Sequence, residues 1–194
     1  MDWRLLFLNS ILLGFGLALD AFSVSVADAM ANPDMKKSMK LSVALIFGVF
    51  QTLMPLLGWI CVKTIADRFI LFQIAVPYIA LILLAYIGIK MIIESRRDDP
   101  GEEGASSINF VTLIIQGVAT SIDALSVGFA IADYTPTEAL LSTILIGVVT
   151  FIICILGLEL GKKVGKAFSD KATLFGGCIL IIIGLEIFIK GVFF

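Results

Sequence analysis

Six apolar stretches, each close to 20 residues long, alternate along the chain with short polar connections. Windows of bilayer-crossing length predict spans at about 5–30, 41–62, 71–93, 109–132, 139–161 and 173–193. The connections run from Asn32 to Lys40, Lys63 to Arg68, Glu94 to Asn109, Asp133 to Glu138 and Lys162 to Lys171. The apolar runs lack the every-second-residue alternation of barrel strands, so they predict helices. The expected fold is an all-α polytopic membrane protein of six transmembrane helices. Arg4 and the small residues near Ala27 imitate a secretory signal. The run from Leu5 to Ala29 is nevertheless longer than a signal's core of about 7–15 apolar residues, and it is read as the first span.

Lys and Arg in the connections set an orientation. With the N-terminus outside, the inner connections hold Lys36, Lys37, Lys40, Arg96, Arg97, Lys162, Lys163, Lys166 and Lys171, and the outer ones far fewer. The positive-inside bias therefore puts both termini outside. One connection, Arg96 to Ser107, is long, polar and poor in packing residues. It reads as a cytoplasmic linker at 96–108 between two sets of three spans, 1–95 and 109–194.

The two sets echo one another. Leu19-Asp20-Ala21-Phe22-Ser23-Val24 in the first span is matched by Ile122-Asp123-Ala124-Leu125-Ser126-Val127 in the fourth. Gly14 and Gly117 keep the same offset of 103, and Gly48 and Gly58 match Gly147 and Gly157 at an offset of 99. Ile87-Gly88-Ile89-Lys90 resembles Ile183-Gly184-Leu185-Glu186 in the third span of each set. An odd number of spans per set forces the second to enter from the opposite side. The expected architecture is two inverted three-helix repeats, in which transporters place binding sites near the midplane at the repeat interface.

Composition agrees with the pattern: 59% hydrophobic, 15% charged, mean hydropathy +1.06. A soluble domain of this size has too little interior for that apolar surface. A net charge of −2 without a basic tail argues against nucleic acid as a partner. Histidine is absent, which removes the usual imidazole ligand and proton shuttle. Cys61, Cys154 and Cys178 lie in apolar runs without paired spacing and read as small hydrophobes.

Against that background the two intramembrane aspartates are the candidate chemistry. A carboxylate at membrane depth costs about 2.5–3.5 kcal/mol on insertion scales. Asp20 and Ser23 share a helix face, as do Asp123 and Ser126, with Thr120 one turn earlier. Gln51 is mid-membrane, four residues before Pro55, a proline that can free a backbone carbonyl at that depth. Asp20, Asp123, Gln51, Thr120, Ser23 and Ser126 thus form an all-oxygen candidate metal set, suited to Mn²⁺, Mg²⁺ or Ca²⁺. In upright, level helices the two aspartates would stand roughly 9 Å apart along the axis, so either tilt, a shift or a broken helix lets them share one ion, or each serves one face of the membrane in turn. Asp28, at the cytoplasmic end of the first span, reads first as a solvated carboxylate and second as a charge that attracts cations to an inner mouth.

Two other classes compete. An intramembrane aspartyl protease also needs two aspartates, but the residues before Asp20 and Asp123 lack its Gly-x-Gly-Asp signature. An amino-acid exporter would need a clamp for the substrate carboxylate, and no mid-span Arg supplies one. No Walker motif points to ATP as the driver.

The chain resembles the MntP-type manganese efflux pumps of bacteria, within the lysine-exporter superfamily. The resemblance is carried by Leu19-Asp20-Ala21-Phe22, Leu45-Ile46-Phe47-Gly48, Pro55-Leu56-Leu57-Gly58-Trp59, Met91-Ile92-Ile93-Glu94, Ala119-Thr120-Ser121-Ile122-Asp123-Ala124 and Leu174-Phe175-Gly176-Gly177. It implies a transporter rather than an enzyme, set in the bacterial cytoplasmic membrane and in contact with its lipid bilayer. It implies export of Mn²⁺ from the cytoplasm as the carried substrate, with no cofactor and with Asp20 and Asp123 central. Protons are the expected counter-ion. Some relatives carry glutamate where this chain has Gln51, and alanine at the positions of Ser23 and Ser126.

Overall fold

The computed structural model describes residues 3–64, 78, 81–82, 84–89, 92–93, 109–168 and 172–193. Among these the regular structure is entirely helical: α1 Trp3–Ala31, α2 Lys37–Thr64, α3 Phe110–Thr120, α4 Ala124–Ala130, α5 Pro136–Phe168 and α6 Ala172–Phe193. In the stretch expected as the third span, the described residues are helical. Its remainder and the linker at 96–108 lie outside the described residues. Among the described residues three helices, Trp3–Ala31, Lys37–Lys63 and Pro136–Gly165, are long and apolar enough to cross a bilayer.

The fourth expected span is not continuous. It divides into α3 and α4, joined by a turn at Ser121, Ile122 and Asp123. At the turn, side chains and a tightened last turn take over the helix backbone groups. Thr120 Oγ1 donates to Gln116 O at 2.9 Å, and Ser121 Oγ donates to Gly117 O at 2.7 Å. The Ser121 N–H turns back to Val118 O, three residues away, which tightens and ends α3. Asp123 Oδ1 then accepts the Ala124 N–H at 2.9 Å and opens α4.

The other ends follow ordinary capping chemistry. Asn109 accepts from Thr112 N at 2.9 Å and starts α3. Thr135 and Glu138 form a reciprocal box around Pro136, with Thr135 N donating to Glu138 Oε2 at 2.9 Å. At 33 residues α5 is about 50 Å long and outruns the bilayer's hydrocarbon layer of about 30 Å.

The packing inverts the soluble pattern. On α1, Ala18, Ala21 and Ala27 have no exposed surface, whereas Phe15 is 59% and Leu12 61% exposed. Small residues meet other helices and large ones face outward, the arrangement suited to lipid. α1 runs along α5 and also touches α6; α2 lies against α5, α4 and α3. Ala21, Val24, Val43, Phe47, Leu113, Cys154 and Leu158 form the common core.

Glycines set the closest approaches. A Cβ on Gly48 would lie 2.9 Å from Gly147 O, and one on Gly147 would lie 2.6 Å from Gly48 O. Added to Gly58 it would collide with the Leu125 backbone, and to Gly128 with the backbone of Gly58 and Trp59. On Gly157 it would lie 2.9 Å from Phe22 O. Gly14 meets Ile146 and Val149, while Gly117 meets Phe50 and Ile46.

Candidate metal-ion site

Gln51 organises the centre of the molecule. It sits on α2 with no exposed surface, and its Nε2 donates to two carbonyls on different helices. One is Leu17 O of α1 at 3.3 Å; the other is Thr120 O, the last residue of α3, at 3.0 Å. Asp20 follows Leu17 by three residues, and Asp123 follows Thr120 by three. A single amide therefore holds the backbone before each aspartate. Gln51 Oε1 has no hydrogen-bond partner among the described residues. Pro55, which has no N–H to offer, lies inside α2 four residues on, so the Gln51 carbonyl loses its usual helical donor as well.

The expected ligands occupy distinct settings. Asp20 is half-buried on α1, and Asp123 is exposed in the turn between α3 and α4. Thr120 is buried, with its hydroxyl proton given to Gln116 O, which leaves the oxygen's acceptor capacity in place. Ser23 is half-buried and donates to Leu19 O at 2.9 Å. Ser126 is exposed, and its N–H donates to Asp123 O at 2.9 Å. The structure thus joins Gln51 directly to Thr120 and to the first aspartate's helix, whereas Ser23 and Ser126 bond within their own segments. Among the described residues no three His, Cys, Asp or Glu side chains cluster as a ready metal centre. Any ion held here draws on amide, carbonyl and hydroxyl oxygen as well as carboxylate.

One expectation is corrected. Asp28 is not a solvated end-of-span carboxylate but is 2% exposed. Its Oδ1 accepts from Gln116 Nε2 at 2.8 Å across the α1–α3 contact. The periodic signal was present, because Leu17, Ala21, Val24 and Asp28 continue one buried stripe of α1. Gln116 was not singled out from sequence; a lone glutamine among apolar residues carries little signal. Lys40, nearly buried on α2, pairs with Glu159 of α5 at 2.5 Å.

Long apolar helices, outward-facing large side chains and a helix interrupted at an acidic residue define a multi-pass α-helical membrane protein with a polar centre. The chain belongs to the family described as "Mntp: Putative manganese efflux pump", whose profile matches residues 34–188. Among curated relatives it is 38% identical over 204 residues to "Putative manganese efflux pump MntP" of Clostridium perfringens, strain 13, covering 94% of each chain. It is 41% identical over 181 residues to the protein of that name from Methanosarcina mazei, covering 93% of this chain and 95% of the relative. No solved structure matches.

Proposed function

We propose that this protein exports Mn²⁺ from the cytoplasm by alternating access. The observation that carries the site is the Gln51 bridge between Leu17 O and Thr120 O, which ties both aspartate-bearing segments to one buried amide. Asp20 and Asp123 supply the anionic ligands, Gln51 Oε1 and Thr120 neutral oxygen, and Ser23 and Ser126 flank them. Two carboxylates balance a divalent charge where the dielectric is low. The family and the curated relatives, all described as manganese efflux pumps, support Mn²⁺ over other oxygen-preferring cations.

The architecture in this reading is six spans, residues 1–95 and 109–194 forming inverted three-helix repeats joined by a cytoplasmic linker at 96–108. Reciprocal contacts support it. At offsets of 103 and 99, Gly14 against Val149 maps onto Gly117 against Phe50. Gly58 against Leu125 maps onto Gly157 against Phe22, and Gly48 against Gly147 maps onto itself. Such pairing of i with j and j′ with i′ is what a two-fold relation generates. The protein sits in the cytoplasmic membrane with both termini outside. One repeat rocks against the other, and the turn at Ser121 to Asp123 lets α3 and α4 move as separate rods.

Protons enter as the counter-ion, since a carboxylate can exchange a metal for a proton. The membrane potential opposes cation export by about 2.3 kcal/mol per charge per 100 mV. Two protons inward per Mn²⁺ out cancel that electrical work. The reading is tested by the manganese content of cells expressing wild type, Asp20→Ala or Asp123→Ala. Export should fall to the level of cells without the protein in both variants, at normal membrane abundance. Manganese handling unaltered in both would overturn the ligand roles.

A further inference from the structure

A second pair of oxygens is buried away from the Asp20–Asp123 centre. Asp28 is 2% exposed and Gln116 has no exposed surface. Once Gln116 Nε2 has donated to Asp28 Oδ1 at 2.8 Å, two acceptors remain, Asp28 Oδ2 and Gln116 Oε1. Neither has a hydrogen-bond partner among the described residues. No described Lys or Arg forms an ion pair with Asp28; Lys40 pairs instead with Glu159. A buried carboxylate without a counter-charge is among the costliest arrangements in a protein, and two orphaned oxygens side by side call for a positive partner. We infer that Asp28 and Gln116 form a second, inner binding site for a hard divalent cation, loaded from the cytoplasm before the ion reaches Asp20 and Asp123.

The donor set fits such an ion: one carboxylate oxygen and one amide oxygen, with neutral groups around them. Ser25, whose hydroxyl donates to Ala21 O at 2.7 Å, lies one helical turn before Asp28, and Cys154 of α5 packs beside both. One carboxylate leaves a divalent ion half neutralised, so this site holds it more weakly than a two-carboxylate centre and releases it onward. Asp28 is eight residues beyond Asp20 on α1, about 12 Å at the helical rise. That separation allows two discrete stations along one pathway.

The pair is also one-sided. At the repeat offset of 103, Asp28 corresponds to Ile131 and Gln116 to Leu13. These two apolar residues line an open recess of about 410 Å³ together with Asn9, Leu12, Ala130 and Tyr134. The carboxylate is thus duplicated at the centre but not at the ends: the cytoplasmic arm carries it, the outer arm does not. An ion is attracted on the loading side and meets no equivalent charge on the way out.

This inference rests on the manganese reading, and the test separates the two. Mn²⁺ bound to the purified full chain in detergent is counted by electron paramagnetic resonance, where free and bound ions give different signals. Wild type should bind two Mn²⁺ per chain, with Asp28→Asn losing the weaker one and Asp20→Asn the tighter. Transport by Asp28→Asn should need at least about tenfold more Mn²⁺ for half-maximal flux, by analogy with lesions around metal sites. Moving the charge across the pair in Asp28→Asn/Gln116→Glu should restore the second ion, which a merely structural hydrogen bond would not do. Should Asp28→Asn fail to elute as a folded protein, Gln116→Leu removes the orphaned amide oxygen and serves instead. A single class of Mn²⁺, lost in Asp20→Asn and indifferent to Asp28→Asn, would overturn the inner site and leave the transport reading standing. No Mn²⁺ bound by wild type would overturn both.

Discussion

At the scale of the residue, the side chain that decides most is an uncharged one. Gln51 is fully buried, and both of its N–H groups go to main-chain oxygen. Leaving a buried carbonyl without a donor costs about 1–3 kcal/mol. Gln51→Leu, similar in size, should therefore destabilise the purified protein by an amount in that range, read as a lower thermal midpoint. It should also abolish manganese tolerance in cells, because the amide oxygen is lost with the donors. Gln51→Glu keeps acceptor oxygens and adds a charge but gives up both donors. It should bind Mn²⁺ more tightly and lose fold stability, read by titration and melting on the same sample. Sequence pointed to Gln51 through its depth and its spacing from Pro55. It did not show which carbonyls the amide would hold, since that depends on where α1 and α3 come together. The same limit hid Gln116, whose partner Asp28 lies 88 positions away in the chain.

At the scale of the element, interruptions matter more than lengths. The spans at the start of the chain and after Pro136 were legible because their apolar runs are long and their borders charged. The division of the fourth was not, because Thr120-Ser121-Ile122-Asp123 is as compatible with a polar stripe on a continuous helix. The break is marked by the Ser121 N–H turning to Val118 O and by Asp123 accepting from Ala124 N, local geometry that hydropathy does not register. α4 is only 7 residues long and depends on its seat against α2. Gly128→Val should unseat it, since its Cβ collides with the backbone of Gly58 and Trp59, and rigid main chain cannot yield. The expected outcome is loss of folded protein on gel filtration. Gly16→Ala provides the contrast: nothing lies within 4 Å of a Cβ there, and α1 should gain about 0.5–1 kcal/mol of helix stability. Thr135→Ala, which dismantles the box at the start of α5, should cost about 1 kcal/mol in thermal unfolding.

At the scale of the whole molecule, the proposed relation between the halves bears on mechanism. A proteoliposome experiment measures it: Mn²⁺ flux should rise when the compartment receiving Mn²⁺ is made the more acidic, so that protons run the opposite way. Flux indifferent to that gradient would remove proton exchange while leaving the site untouched. Sequence suggested the two-fold relation through matched motifs, yet it could not say which matched positions would touch. Gly48 and Gly147 do, each facing the other's carbonyl oxygen. The seam is closed by side chains as well: a Cβ on Gly147 would also run into the Thr52 side chain, and one on Gly48 would press on Phe151. In the proposed rocking motion this close seam is where the halves would turn on one another, and even a methyl group placed in it would act as a brake.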